Sequence, residues 1–434
     1  MPITDMNGGD AEDTGADSRA FIRHQIAAAL SFDRPTRPAV AVSGGGDSMA
    51  LLRLMAEWAE GEKLPLQAVT VDHGLRAEAA EEARFVADTC ADLKIKHTTL
   101  TWTGWDGRGN LQDAARRARY ALMAEWAKGA GVDTIAIAHT ADDQAETFFM
   151  RLARSSGIDG LTGMQRRREA DGVTWVRPLL MVERAELRDY LRALRQVWID
   201  DPSNEDERFD RVKARKALKA LEPLGLDLHV VGRVMDHLGQ VRTALDYATH
   251  DHALECVTVE GGDLCINRRR FVEAAPEVNR RLIAHALRWI ASADYGPRGM
   301  KLQEFLSAIS RGRDATLHGV RLIGGKETLR LTRETAAVAG KTATPDVVWD
   351  GRWRVEWTGE PTEKKGLILR ALGSDGLAQI AEKAPDGPPR ESLASSPALF
   401  AGETLVAAPL AKVGSATARL IHPDGHFFTS LLSH

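Results

Sequence analysis

Cysteine is scarce in this chain of 434 residues. Cys90, Cys256 and Cys265 are scattered, and no two of them form a C-x-x-C pair. Pairs at that spacing are common ligands of zinc and of iron–sulfur clusters, so the sequence argues against a site of either kind. Isolated cysteines are typical of small core residues in a reducing compartment, and we therefore expect a cytoplasmic protein.

Long apolar runs and an N-terminal signal pattern are missing as well, so no membrane partner is expected. The formal net charge of −4 argues against a protein that coats nucleic acid over its whole surface, although it leaves room for a local basic patch. Residues 1–18 carry five acids and three glycines but no lysine or arginine, a composition that predicts a disordered acidic tail.

Three successive glycines stand between an apolar run, Pro38 to Val42, and an amphipathic helical pattern. They belong to the segment Ser43-Gly44-Gly45-Gly46-Asp47-Ser48. Because glycines allow a tight turn and helix N-termini bind anions, the segment predicts a phosphate site. Asp47 would repel a phosphate unless a cation lay between them, which indicates Mg²⁺. On this segment alone, a purely structural connection remains the alternative.

Short β-rich runs alternate with helical patterns over the first two hundred residues. After 38–42, strands are predicted at 66–71, 96–100 and 134–138, and helices at 77–93, 110–128 and 142–154. This alternation is typical of βαβ units in a parallel sheet with helices on both faces. Such sheets bind ligands at the C-terminal ends of their strands, so functional residues are expected there.

Polar residues follow two of these strands. Asp72 and His73 come after the second strand, where an ordinary turn is the alternative. After the fourth strand, Asp143 and Glu146 share a face of the helix predicted to begin at Asp142. Two carboxylates at that place can bind Mg²⁺ or an amine, or act as a general base.

Arg116 and Arg119 share a face of the predicted helix 110–128 with Gln112. Two arginines on one face can hold phosphates or a carboxylate. A solvent-exposed basic face explains the same spacing equally well.

The order and spacing of these motifs resemble those of bacterial tRNA(Ile)-lysidine synthetases, a family of PP-loop, or N-type, ATP pyrophosphatases. The resemblance covers roughly residues 37–215. It includes the segments 43–48, 71–76, 110–120, 139–147, 160–164 and Asp201-Pro202-Ser203-Asn204. The glycine loop alone is shared with GMP, NAD and asparagine synthetases, so the order of the motifs carries the specificity.

The resemblance implies that ATP adenylates the C2 oxygen of the wobble cytidine in the CAU-anticodon tRNA(Ile), and that free L-lysine then displaces AMP to give lysidine. It implies that Asp143 and Glu146 handle the lysine amine and its proton, that Arg116 or Arg119 approaches the nucleotide or the activated base, and that Asp47 lies near Mg²⁺. The ATP-binding residues that it implies are Ser43, Gly44, Gly45, Gly46, Asp47, Ser48, Asp72, His73 and His139.

The chain departs from the family pattern at two positions. Thr140 stands where the family often has a second histidine, which suggests that histidine is not the catalytic base. Val212 stands where the family often has an asparagine, which puts a specific role at that position in doubt.

Basic residues exceed acidic ones between Arg151 and Ala220, by 16 to 12. Such an excess suits contact with tRNA phosphates, although a solvent-exposed helix face would look similar. The candidate tRNA-binding residues are Arg166, Arg167, Arg168, Arg211, Lys213 and Arg215.

We predict an α/β protein with a Rossmann-like PP-loop ATPase domain at 19–220. A mostly helical α+β domain that recognises the tRNA is expected at 221–335, a linker at 336–346 and a small β-rich domain at 347–434. Alternating Trp353, Val355 and Trp357 could stack on bases, but they are more typical of a core. The sequence leaves a homodimer open.

Two other functions remain open on the residues. A tRNA thiolation or amidotransferase-type enzyme would need reactive or cluster-binding cysteines or a glutaminase nucleophile, and the three cysteines supply neither arrangement. A non-catalytic nucleotide- or RNA-binding protein is the other alternative, and the intact Asp47, Asp143 and Glu146 argue against it.

Overall fold

The chain is described by a computed structural model over residues 10–74, 79–105, 111–200, 210–293, 295–297, 299–360, 364–380 and 387–432. Two compact units divide it, one ending at Val241 and the other beginning at Arg242. The boundary predicted at residue 220 lies 21 residues before this division, which falls after residue 241. In the described part of the chain, no helix is long and apolar enough to cross a membrane.

The first unit contains a six-stranded sheet in the order β3-β2-β1-β4-β6-β5. All neighbouring pairs are parallel except β5 and β6, which form an antiparallel hairpin at one edge. The chain places β2 and β3 on one side of β1 and then crosses to β4 on the other side, which opens a crevice at the C-terminal ends of β1 and β4. The strands are β1 (Pro38–Ala41), β2 (Gln67–Asp72), β3 (Lys96–Thr101), β4 (Thr134–Ala136), β5 (Arg167–Ala170) and β6 (Val173–Val176).

Helices cover both faces of this sheet, as the alternating pattern predicts. Alternate residues of β1 point to opposite faces. Val40 belongs to the core beneath α1, α2 and α7, whereas Ala39 and Ala41 belong to the core beneath α4. The helices are α1 (Asp10–Ser31), α2 (Gly46–Glu62), α3 (Ala79–Asp92), α4 (Leu111–Ala130), α5 (Ala141–Leu152), α6 (Ile158–Leu161), α7 (Arg184–Ala193) and α8 (Asp210–Leu221), with a 3₁₀ turn at Glu222–Leu224.

Helix α1 begins inside the segment for which the composition predicts a disordered tail. Residues 10–18 are helical, so the expectation of disorder was wrong for this part of the tail. The physical reason is an apolar stripe further along the same helix, where Ile22, Ile26 and Leu30 are fully buried. Their spacing of four residues puts them on one face, and their burial fixes the helix against the sheet.

The second unit begins within a long helix and contains a five-stranded antiparallel sheet in the order β7-β8-β11-β10-β9. Its α+β content agrees with the prediction, and β7 and β8 form a hairpin around Gly261-Gly262. The helices are α9 (Leu228–Cys256), α10 (Arg268–Glu273), α11 (Pro276–Ala291) and α12 (Met300–Arg311), and the strands are β7 (Val257–Glu260), β8 (Asp263–Asn267), β9 (Ala315–Leu317), β10 (Val320–Ile323) and β11 (Thr328–Arg333).

The C-terminal part of this unit has two three-stranded sheets, β12-β13-β17 and β14-β15-β16. Trp353 and Val355 are buried in its core, as the alternation on β13 favours. The elements are α13 (Thr335–Val338), β12 (Val348–Trp349), β13 (Trp353–Trp357), β14 (Ile368–Ala371), α14 (Gly373–Ala378), α15 (Arg390–Ala394), β15 (Pro397–Ala401), β16 (Thr404–Ala407), a 3₁₀ turn at Pro409–Ala411, β17 (Ala416–Leu420) and α16 (His426–Thr429).

The segment predicted to be a linker, 336–346, makes ordered contacts with this C-terminal part. Val338 is fully buried, and the backbone of Ala343 pairs with that of Leu369. Residues 242–434 therefore form one compact unit.

Candidate active site

The glycine segment 43–48 forms the turn between β1 and α2, where the sequence predicts it. Gly44 has a φ angle of +87°, which glycine adopts without strain. The Ser48 hydroxyl donates to the Gly45 carbonyl at 2.9 Å and accepts from the Ser43 N–H at 3.1 Å. Gly45 is the N-cap residue of α2, and no side chain of the described residues caps the helix there. The N-terminal N–H groups of α2 therefore suit an anion such as a phosphate.

Ile199, just before the Asp201-Pro202-Ser203-Asn204 motif, contacts the backbone of this loop. The Ile199 N–H donates to the Gly44 carbonyl at 3.0 Å, and Ile199 forms a parallel bridge with Gly45. Pro202, Ser203 and Asn204 themselves lie outside the described residues, as does Asp201. This contact gives a structural reason why the sequence around Ile199, although distant along the chain, occurs together with the glycine loop.

A cavity of about 370 Å³ opens beside the loop at the C-terminal ends of the strands. It brings together residues that the sequence assigns to three separate motifs, and it adds arginines from α7. The polar and charged residues that line it include Ser43, Asp47, Asp72, His73, Glu82, Arg119, Arg184, Arg188, Asp200 and Arg215.

Of the two arginines predicted on α4, only Arg119 lines this cavity. Arg116 is exposed and lies over the Tyr120 ring, 5.4 Å from the centroid. Burial lowers the pKa of Arg119. Burial also lowers the pKa of His73, helped by the charge of Arg119, so the imidazole is held neutral beside that guanidinium.

Asp143 is part of the N-terminal cap of α5. Its carboxylate accepts from the backbone N–H of Thr140 at 2.9 Å and from the Thr140 hydroxyl at 3.0 Å, while the Asp143 N–H donates back to that hydroxyl. This is a reciprocal capping box, and it satisfies orphan donors at the helix start. Asp142, in the first turn of the same helix, accepts from the backbone N–H of Arg184 at 2.8 Å.

Glu146 is buried one turn further along α5 and forms an ion pair with Arg215. Only 3% of its side chain is exposed, and the distance between Nη2 and Oε1 is 2.7 Å. Arg215 is one of the candidate tRNA-binding residues, yet here it lines the cavity and contacts a buried carboxylate. Arg215 therefore belongs to the candidate active site as well as to the predicted tRNA-binding set.

Arg184 stands at the centre of the site, and the sequence analysis missed it. Its guanidinium lies 3.0 Å from the carboxylate of Asp47, 3.4 Å from that of Asp143, 3.8 Å from that of Glu146 and 4.0 Å from that of Asp142. One cation thus joins the acid of the glycine loop to the acids of α5. Arg184 begins α7, shortly after β6, so a search after every strand would have reached it if the four-residue strand had been recognised.

Burial and the charges of this cluster together explain its pKa shifts. Burial raises the pKa of Asp47, and the charge of Arg184 opposes the rise. Burial also raises the pKa of Glu146, with Asp143 adding to the rise and Arg215 opposing it. Although burial works against it, the acids around Arg184 raise its pKa, so the guanidinium stays charged.

His139 lies behind the cavity rather than in its lining. Its Nδ1 accepts from the Nε of Arg177 at 3.2 Å. Burial, together with Arg177, lowers the pKa of His139 to about 3, while Asp143 opposes the shift. The imidazole is therefore neutral at physiological pH and cannot donate a proton from a cationic form.

The acids of this site could hold Mg²⁺ only if substrate phosphates supplied the remaining ligands. Within the described ranges, no group of three His, Cys, Asp or Glu residues could hold a metal ion. Mg²⁺ commonly uses one or two carboxylates together with phosphates and water. Asp47 suits that mode because it lies in the first turn of α2 and lines the cavity.

The remaining candidate tRNA-binding cations are mostly exposed. Arg166, Arg168 and Arg211 are exposed, and Lys213 is exposed beside Asp210, 3.6 Å away. Arg167 differs, because it is half-buried and pairs with Asp33.

Some predicted residues cannot be compared with the structure. Leu75, Arg76 and Asn110 lie outside the described residues, and nothing is described of the Gln112 side chain.

The cysteines do not form a reactive site. Cys90, Cys256 and Cys265 are all buried. Burial raises the pKa of Cys90 to about 11 and the pKa values of Cys256 and Cys265 to about 12. Because the thiolate is the nucleophile, this chemistry does not favour a thiolation enzyme.

Comparison with known proteins gives consistent matches. A family model described as a PP-loop domain matches residues 18–221. The tRNA(Ile)-lysidine synthase of Ruegeria pomeroyi is 45% identical over 95% of this chain and 97% of its own length. The tRNA(Ile)-lysidine synthase of Wolbachia pipientis is 36% identical over 77% of this chain and 78% of its own length. The matches to the two relatives extend across both compact units, whereas the family model matches only the first.

Proposed function

This chain belongs to the tRNA(Ile)-lysidine synthase family, and from that premise we propose how its site carries out ATP-dependent formation of lysidine. The overall reaction joins free L-lysine to C2 of the wobble cytidine in the CAU-anticodon tRNA(Ile). ATP first transfers AMP to the C2 oxygen and releases pyrophosphate, and the ε-amine of lysine then attacks C2 and displaces AMP. The observation that carries the proposal is Arg184, which lines the cavity beside the glycine loop, pairs with Asp47 and contacts the carboxylates of α5 that lie outside the cavity lining.

The glycine loop is the ATP half of the site. The N-terminal N–H groups of α2 would bind phosphate oxygens, and Arg119 and Arg184 line the same cavity with positive charge. Asp47 would hold Mg²⁺, which neutralises the phosphates and makes pyrophosphate a better leaving group. Asp72 and His73 complete the wall of the cavity, where a neutral imidazole offers one N–H donor and one acceptor nitrogen.

The carboxylates of α5 are the lysine half of the site. The guanidiniums of Arg184 and Arg215 already contact these carboxylates. The same carboxylates therefore suit the ammonium group of lysine, which carries the same positive charge. In our proposal, the lysine ammonium exchanges with the guanidinium of Arg184, which then pairs with the phosphates across the cavity.

Glu146 is the better proton acceptor of the pair. Lysine arrives as an ammonium and must lose a proton before its nitrogen can attack C2. Burial raises the pKa of Glu146, which makes its carboxylate a stronger base. Asp143 is committed to the capping box through one oxygen, and its role is to bind and orient the amine.

Separate measurement of the two half-reactions tests whether the glycine loop serves adenylation and the carboxylates of α5 serve the attack by lysine. Exchange of labelled pyrophosphate into ATP, with tRNA and without lysine, reports adenylation, and lysine incorporation reports the second step. We expect Glu146→Gln to keep the exchange but to lower kcat for lysine incorporation by roughly 10²- to 10⁴-fold, the usual contribution of a general base. Asp47→Asn should lose both reactions.

Glu125→Gln, an exposed change on α4, is the matched control and should leave both reactions unchanged. Loss of pyrophosphate exchange in Glu146→Gln, or an unaltered kcat for lysine incorporation, would overturn the assignment.

A further inference from the structure

A second cavity lies in the second unit, and the polar side chains that line it are positively charged or neutral. Its volume is about 340 Å³, and it lies between α11, the start of β13 and α16. Among the described residues, no aspartate or glutamate lines it; Asp294 follows the lining residue Ala293 in sequence and lies outside the described residues. The side chains that matter below are Arg288, Trp289, Arg352, His285, His422 and His426.

Arg352 is almost completely buried, with 5% of its surface exposed. Its guanidinium lies over the rings of Trp289 and Trp353, at 5.4 and 5.9 Å from their centroids, and donates to the Gly262 carbonyl. No ion pair joins it to a carboxylate within the described part of the chain. Burial lowers its pKa to about 10, although the charges of Asp263 and Asp350 oppose the shift. A buried cation without a carboxylate is costly, so an anion at this place would stabilise it.

The nearest acid in sequence already has two partners. Asp350, whose side chain is 1% exposed, accepts from Arg333 at 2.9 Å and from Lys341 at 2.6 Å. The fold therefore supplies a carboxylate two residues from Arg352 and uses it for other cations.

A second guanidinium is oriented toward the same cavity. His285 lies 3.0 Å from the Phe427 carbonyl through Nε2, and its Nδ1 accepts from Arg288 at 3.2 Å. Burial lowers the pKa of His285 to about 4, so this ring is a neutral acceptor that fixes the Arg288 side chain. Two guanidiniums at one cavity, both without a carboxylate partner among the described residues, suit the oxygens of a phosphate.

Aromatic rings line the same cavity. His422 and His426 stack with their centroids 4.1 Å apart, and Trp289 contributes to the lining. The Nδ1 atom of His426 is buried and has no hydrogen-bond partner among the described residues. Flat rings beside cations are the combination on which nucleic-acid bases stack, and the unpartnered nitrogen can bond to a base edge.

We propose that this cavity binds one nucleotide, with its phosphate on Arg288 and Arg352 and its base against the aromatic rings. A volume of about 340 Å³ falls in the range of small-ligand pockets, which begins at roughly 300 Å³. A free nucleotide and a nucleotide within RNA present the same chemistry. The site does not depend on the function proposed for the first unit, because it uses none of the same residues.

Equilibrium dialysis of the full chain with radiolabelled AMP tests the site, because the glycine loop and this cavity then contribute separately to the stoichiometry. We expect two AMP molecules per chain in the unaltered protein, one in Arg288→Gln and one in Gly44→Ala, which strains the glycine loop. His422→Ala, at an exposed position, should weaken the same binding event as Arg288→Gln. Arg311→Gln on α12, also exposed, is the matched control and should keep both.

Titration with labelled tRNA distinguishes the two sources. If AMP binds only once, but tRNA binds about tenfold more weakly to Arg288→Gln than to Arg311→Gln, the nucleotide belongs to RNA and the proposal stands. If Arg288→Gln matches Arg311→Gln in both AMP stoichiometry and tRNA affinity, the proposal is wrong.

Discussion

Arg184 determines the charge balance of the proposed active site. Four carboxylates lie within 4.0 Å of its guanidinium, and Arg215 supplies a second cation to one of them. Buried acids at this density would repel one another without those arginines. The same cluster is therefore both a stability element and a cation-binding site.

Removal of Arg184 should make stability depend more strongly on pH. The pKa values of Asp47 and Glu146 are raised in the folded state, so the folded chain binds more protons than the unfolded chain above the ordinary carboxyl range. Stability from this source is present at low pH and is lost as pH rises through the folded pKa values. In Arg184→Met these values should rise further, and the free energy of unfolding should fall between pH 5 and pH 8 by about 2 kcal/mol more than in the unaltered protein.

Urea unfolding at the two pH values measures this difference. Arg192→Met is the matched control, since Arg192 is an exposed arginine on the same helix and pairs with the exposed Asp189. Equal pH dependence in Arg184→Met and Arg192→Met would show that Arg184 does not compensate the buried acids.

At the scale of elements, the turn from β1 into α2 has the strictest backbone requirement in the site. Gly44 has a φ of +87°, and a Cβ atom there would lie 3.0 Å from the Ile199 side chain. Gly45 has a φ of −70°, and a Cβ atom there would have no neighbour closer than 3.8 Å. Adjacent glycines in one loop therefore differ in whether a side chain fits the fold.

We expect Gly44→Ala to reduce the free energy of unfolding by about 1–3 kcal/mol, because alanine is strained at positive φ. Gly45→Ala should change it by less than about 0.5 kcal/mol, as expected where the conformation is compatible. Thermal or urea unfolding of the two variants compares them directly. A larger loss in Gly45→Ala than in Gly44→Ala would contradict the loop geometry.

The main elements of the first unit were predictable because their signals are local. The four parallel strands β1 to β4 and the helices α2 to α5 follow from apolar runs and periodicity, and the glycine loop follows from its residue types. Strands β5 and β6 were not predicted, because each has four residues and the first is largely charged. Arg184 was missed for that reason, since it follows β6 and its acidic partners come from other elements.

Long-range contacts account for the other differences between prediction and structure. Arg215 has the sequence context of a basic helix, and only the packing of α8 against α5 makes it a partner of Glu146. The segment 336–346 has the composition of a linker, but the burial of Val338 depends on a core formed by later strands.

At the scale of the whole molecule, four exposed cations of the first unit are candidates for binding the tRNA backbone. Arg166, Arg168, Arg211 and Lys213 belong to the first unit, whose cavity carries the proposed chemistry. The chain is acidic as a whole, with a formal net charge of −4, so a local basic surface would direct the RNA.

Neutralising these cations should weaken tRNA binding and its salt dependence together. A plot of log affinity against log salt concentration has a negative slope. Arg168→Gln and Lys213→Gln should each reduce the size of that slope by about 1 for every phosphate that loses its cation. Arg192→Gln, an exposed change elsewhere on the unit, should leave the slope unchanged. Filter binding at several salt concentrations measures it, and an unaltered slope in all the variants would place the RNA track elsewhere.

The most direct test of the account is to identify the product nucleoside. The protein would be incubated with ATP, Mg²⁺, labelled lysine and total tRNA, and the tRNA would then be digested and its nucleosides separated. We expect the label in lysidine from the wobble position of one tRNA species, with AMP formed in equal amount, and neither product with Asp47→Asn. Label at the 3′ end of tRNA, or AMP release that does not need lysine, would contradict the account.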